Sequence, residues 1–121
     1  MALTCDIRLT VAKRVQRDSK FRGALLAEVV NACLAGDTRT GKAMLCDLVN
    51  ATVGFEGLAA EVKRPRKSLH RMLAPRGNPS AENFFDIVNA LQDKTRVRLR
   101  VTAEMRQWAR LTENVIGHSS D

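Results

Sequence analysis

The chain has 121 residues, with 20 lysines and arginines against 13 acidic residues, for a net charge of +7. That length suits one domain with a single core, and no stretch approaches the ~18 consecutive apolar residues of a membrane-spanning helix. Three scattered cysteines (Cys5, Cys33, Cys46) without C-x-x-C spacing, and two histidines (His70, His118) remote from them, give no zinc-ligand pattern. No metal and no cofactor is expected. Without an apolar leader or a disulfide pattern, the expected location is the cytoplasm.

In chain order, the first segment is ambiguous. Ile7, Val11 and Val15 fit a helix over 6–17 with Asp6 as its N-cap, while Leu3, Cys5, Ile7, Leu9 and Val11 also alternate as in a strand. The helix is the favoured reading. From Phe21 to Leu34 the spacing predicts a second helix, ending before Gly36, which suits a left-handed cap. A polar turn, Asp37 to Gly41, leads to a helix at 42–53. Gly54 breaks it, and a helix at 55–62 follows, with Leu58, Ala59 and Val62 as a short apolar face. After Lys63-Arg64-Pro65, a helix at about 65–74 carries Leu69, Met72 and Leu73. Pro75-Arg-Gly-Asn-Pro79 is a loop, and Ser80 caps a helix at 81–92 whose Phe84, Ile87, Val88 and Leu91 face the core.

The period then changes. Thr95 to Thr102 alternates strictly, Val97, Leu99 and Val101 against Arg96, Arg98 and Arg100, which predicts a half-buried β-strand. A strand needs a partner for its backbone. Either residues 3–9 supply it, or a second copy of the chain does; the second choice makes Val97, Leu99 and Val101 dimerisation residues. Residues 103–111 are read as a short helix with Met105 and Trp108, and the tail from Thr112 as frayed. The expected division is an N-terminal helical extension (1–41), a DNA-binding unit (42–93), a C-terminal strand and short helix (94–111) and a flexible tail (112–121). All are expected to form one structural unit.

Charge singles out one window. Residues 60–110 hold twelve basic and five acidic side chains, and Lys63 to Arg76 alone holds six cations (Lys63, Arg64, Arg66, Lys67, Arg71, Arg76) and no carboxylate. A surplus of this kind favours a polyanion. Two short helices joined by a tight turn, the second rich in cations, is the build of a helix-turn-helix that enters the DNA major groove. The competing reading is a solvated basic face on an ordinary helical hairpin.

Within this frame Phe21 to Thr102 resembles the HigA-like antitoxins of the Xre helix-turn-helix superfamily. The residues that carry the likeness are Gly57-Leu-Ala-Ala-Glu-Val62, Lys67-Ser-Leu-His-Arg-Met-Leu73, Gly77-Asn-Pro79 and the helix-then-strand ending through Val101. The resemblance implies an all-α, five-helix domain of the phage-repressor type, with extra N-terminal helices and one C-terminal strand, working as a homodimer. It implies a repressor of its own operon on double-stranded operator DNA, and the antitoxin of a toxin encoded beside it. It places Arg66, Lys67 and Arg71 against base edges, and Arg is well suited to guanine O6 and N7. Lys63, Arg64, Ser68, His70 and Arg76 are then candidates for the phosphate backbone. Two departures from the family pattern stand out: Lys63 where the turn usually has glycine, and Pro65 where a capping serine or threonine is usual.

An enzyme is not expected. No nucleophile has a base beside it, and Asp37-Thr-Arg-Thr-Gly-Lys42 lacks the first glycine of a phosphate loop. One tryptophan and no tyrosine disfavour RNA or single-stranded targets, which need aromatic platforms. The alternative function is a protein-interaction module that neutralises a toxin without specific DNA binding.

Overall fold

The computed structural model describes residues 5–105, with side chains from Leu9 onward. It is all-helical: α1 (Cys5–Arg17), α2 (Ser19–Leu34), α3 (Thr38–Ala51), α4 (Gly54–Val62), α5 (Arg66–Leu73) and α6 (Ala81–Thr95). The helical reading of the first segment holds, although α1 already includes Cys5, so Asp6 lies inside the helix rather than capping it. Residues 5–9 are helical and so do not pair as a strand with 95–102.

Capping chemistry sets most of the helix ends. Asp18 accepts from the N–H groups of Lys20 (3.0 Å) and Phe21 (3.2 Å) and opens α2. At its far end Gly36 is left-handed (φ 88°), with Gly36 N–H donating to Cys33 O and Asp37 N–H to Ala32 O. This double bond pattern is a Schellman ending. The predicted turn at 37–41 is instead the start of α3. Asp37 accepts from Thr40 N–H (3.2 Å) and caps a helix that begins at Thr38, four residues before the expected start. Gly41 lies in that first turn against α2. A β-carbon there would meet Cys33 Sγ at 2.6 Å and Val29 O at 3.1 Å, so glycine is what lets the two helices approach.

Helix α3 is the hub, packing on α1, α2, α4 and α5, while α6 packs on α4 and α2. The core runs through all six helices: Val15, Leu26, Val29, Leu45, Val49, Leu58, Leu69, Ile87 and Leu91 are essentially inaccessible to solvent. Between α3 and α4 the chain bends by 101°, and no helix among the described residues is long and apolar enough to cross a membrane.

The predicted strand at 95–102 is not found. Ser80 caps α6 as expected, its hydroxyl accepting from Asn83 N–H (3.1 Å), but the helix runs on to Thr95 and ends at a left-handed Arg96 (φ 58°, ψ 42°). Arg96 and Val97 N–H both donate to Gln92 O, and Leu99 N–H donates to Gln92 Oε1 (2.8 Å). The alternation is real, since Val97 and Leu99 pack on the core while Arg98 and Arg100 are exposed. Its cause is a helix cap followed by a chain lying on the molecule's own surface, with no sheet ladder among the described residues. Val101 stays 84% exposed. Residues 103–105 are not helical; the remainder of the expected helix, Trp108 and the tail from Thr112 lie outside the described residues.

Candidate nucleic-acid interface

The basic window folds into α4, a short turn and α5, and each bend has a local cause. Lys63 ends α4 in the left-handed region (φ 58°, ψ 47°), its N–H and that of Arg64 both donating to Ala59 O. This is the conformation that glycine adopts freely and a side chain enters at a cost of about 1–2 kcal/mol. Pro65 is extended (φ −62°, ψ 141°) and occupies the N-cap of α5. It has no side-chain acceptor, but its carbonyl receives Ser68 N–H (3.0 Å) and Leu69 N–H (3.2 Å), so the helix starts at Arg66. Behind it, buried Leu69 and Leu73 join buried Leu58 of α4 in the core.

That anchoring decides what faces outward. Arg66, Lys67, His70 and Arg71 are all exposed, and at 3.6 residues per turn they share an arc of about 140°. The first turn of α5 holds no carboxylate, so the positive end of its helix dipole adds to the cations instead of being offset. The three residues expected at base edges therefore stand together on one solvent-facing surface. His70 lies on the same arc and stacks on Phe55 of α4, with ring centroids 3.9 Å apart and planes 19° apart.

The flanking residues are less alike than their charges. Lys63 and Arg76 are exposed, and Ser68 is half-buried. Arg64 is partly committed: its guanidinium pairs with Asp86 of α6 at 2.8 Å, tying the turn to the last helix. Arg76 rides on a loop held from behind by Lys42. This lysine is buried, and its ammonium donates to Pro75 O (3.2 Å) and to Gly77 O. In the same loop Gly77 N–H donates to Ala74 O, and a β-carbon on Gly77 would collide with the carbonyls of Arg71 and Met72. The glycine of the Gly-Asn-Pro motif is thus a steric requirement at the end of α5.

Phe55, Lys42 and Asp86 were not singled out in the sequence. Only Asp86 has a local signal, a carboxylate on the helix after the basic window. Lys42 sits 33 and 35 residues from its acceptors, beyond the reach of any pattern. No family model, curated protein or solved structure matches the chain. The site therefore has to be read from its own chemistry. Its surface offers cations and exposed hydrogen-bond donors, and no group of three or more metal-ligating side chains occurs among the described residues.

Of the residues expected at a dimer interface, Val97 and Leu99 are partly buried against this chain's own core. The need for a covered face, which motivated the dimer expectation, is met for these two within one chain.

Proposed function

We propose that this protein is a sequence-specific binder of double-stranded DNA that acts as a repressor, with α4 and α5 as its helix-turn-helix and α5 as the element that enters the major groove. One observation carries the reading. The outward arc of α5 presents Arg66, Lys67 and Arg71 together, free of acidic neighbours from Lys63 to Arg76, on a helix fixed from behind by buried leucines. Arg66, Lys67 and Arg71 read bases; Lys63, Ser68, His70 and Arg76 meet phosphates, and Arg64 can do so with donors not used by Asp86. Two copies reading successive grooves ~34 Å apart would fit a palindromic operator. On the resemblance alone, the operon controlled is the chain's own, and the second gene product is a toxin that this protein silences.

The test is fluorescence anisotropy on duplexes from the chain's own promoter and on random duplexes, over a range of salt. Tight binding only to the promoter is expected, and about eight phosphate contacts per dimer would give a log–log salt slope near −7. Equal affinity for random duplexes, or a flat salt response, would remove the reading. Rescue of growth on co-expression with the neighbouring reading frame tests the antitoxin role separately.

A further inference from the structure

The row of arginines after α6 lies outside the proposed DNA-reading arc, and its surroundings are of a different kind. Burial alternates from Arg96 to Arg100, with Val97 and Leu99 inward and Arg96, Arg98 and Arg100 outward. Along an extended backbone, the N–H and C=O groups of alternate residues face opposite edges. The N–H groups of Val97 and Leu99 both turn to Gln92. Neither Arg98 nor Arg100 has a hydrogen bond or ion pair among the described residues, as expected if their groups face away from α6. The structure therefore leaves a short backbone edge pinned on one side and open on the other.

Charge selects what can pair with that edge. Residues 96–105 contain three arginines and one carboxylate, Glu104. A second copy in antiparallel pairing would set arginine opposite arginine, and like charges directly across a ladder are destabilising. A strand with carboxylates at alternate positions would meet the row with attraction at each step. The neighbouring Val101, 84% exposed, is a β-branched apolar residue suited to a protein strand and has no counterpart on a phosphate backbone. We propose that residues 97–101 are a docking edge for an acidic, extended segment of a partner protein, which adds alongside them as a β-strand. The same arginines that keep the edge from pairing with itself choose the sign of its partner. This surface stands independently of the DNA reading.

The experiment uses the full chain and a fluorescein-labelled ten-residue peptide alternating glutamate and valine, with two controls: alternating lysine and valine, and the glutamate–valine peptide N-methylated at its glutamates. Anisotropy should show binding of the unmethylated Glu/Val peptide alone, since N-methylation of the glutamates keeps the charge but removes the donors that face Arg98 and Arg100. Hydrogen exchange should slow at the amides of Arg98 and Arg100 when that peptide is added. The double variant Arg98→Glu/Arg100→Glu should weaken peptide binding by about tenfold or more, while its circular dichroism and promoter binding stay unchanged. Three results would each overturn the proposal. Equal binding of the N-methylated peptide would show charge attraction without pairing. Protection of the same amides by a random duplex would assign the row to nucleic acid. Their protection without peptide as protein concentration rises would assign the edge to a second copy.

Discussion

Arg66 and Arg71 project from an anchored helix, whereas Arg76 rides on a loop, and this difference should be measurable. Arg66→Ala and Arg71→Ala are each expected to cost about 1–3 kcal/mol of operator affinity and to relax preference at one or two base pairs. Arg76→Ala should weaken promoter and random duplexes alike. Competition binding on a library of single-base operator variants checks both. At the turn, Lys63→Gly should stabilise the fold by up to about 1 kcal/mol in urea unfolding, because it relieves the left-handed backbone. Gly77→Ala should do the opposite, by roughly 3 kcal/mol or more, because carbonyls of Arg71 and Met72 occupy the space of the new methyl group. The exposed face of α5 was legible because its leucines have helical spacing and its cations occupy the remaining positions. The Phe55–His70 stack and the Lys42 clasp were not, since one joins two helices and the other a helix to a loop through tertiary packing that local spacing does not encode.

Among the elements, helix ends show which sequence signals suffice. Gly36 and Ser80 marked their boundaries correctly because each supplies one local function, a left-handed turn or a side-chain acceptor. Asp37 was read as part of a turn, since Asp-Thr-Arg-Thr-Gly carries both turn residues and a capping residue. Packing of Gly41 against α2 favours the helix. The C-terminal alternation misled for a related reason: period two records which side chains are covered, not whether the backbone is paired. The two aspartate caps also carry a pH dependence. Hydrogen bonding from Phe21 N–H, then from Lys20 N–H, holds the Asp18 carboxyl below its ordinary value, and the hydroxyl and N–H of Thr40 do the same for Asp37. A carboxylate whose folded-state value is depressed stabilises the fold above the unfolded value, and that contribution is lost as pH falls through the folded one. Thermal scans should therefore show the melting temperature falling below about pH 4, with a smaller fall in an Asp18→Asn/Asp37→Asn double variant.

For the molecule as a whole, Val97 and Leu99 are already partly buried on the same chain, so self-association does not require the segment 96–101. Sedimentation velocity on the wild type and on Leu99→Pro separates the cases: the variant should lose stability and keep whatever association state the wild type has. If Leu99→Pro instead yields folded monomers from a wild-type dimer, the segment is an interface after all. The tight seat of Gly41 between Val29 and Cys33 has a bearing on the order of assembly. Helices α2 and α3 are joined by three residues, and the contacts of Gly41 with Val29 and Cys33 close loops of only about ten residues. The Lys42 clasp on Pro75 and Gly77, one residue further on, waits for a segment more than thirty residues away. Stopped-flow chevrons should divide the neighbours. Gly41→Ala should slow refolding, as expected for a residue structured in the rate-limiting step, and Lys42→Met should mainly hasten unfolding. Two adjacent positions on one helix would then mark the first and last events in the building of the surface that carries Arg76.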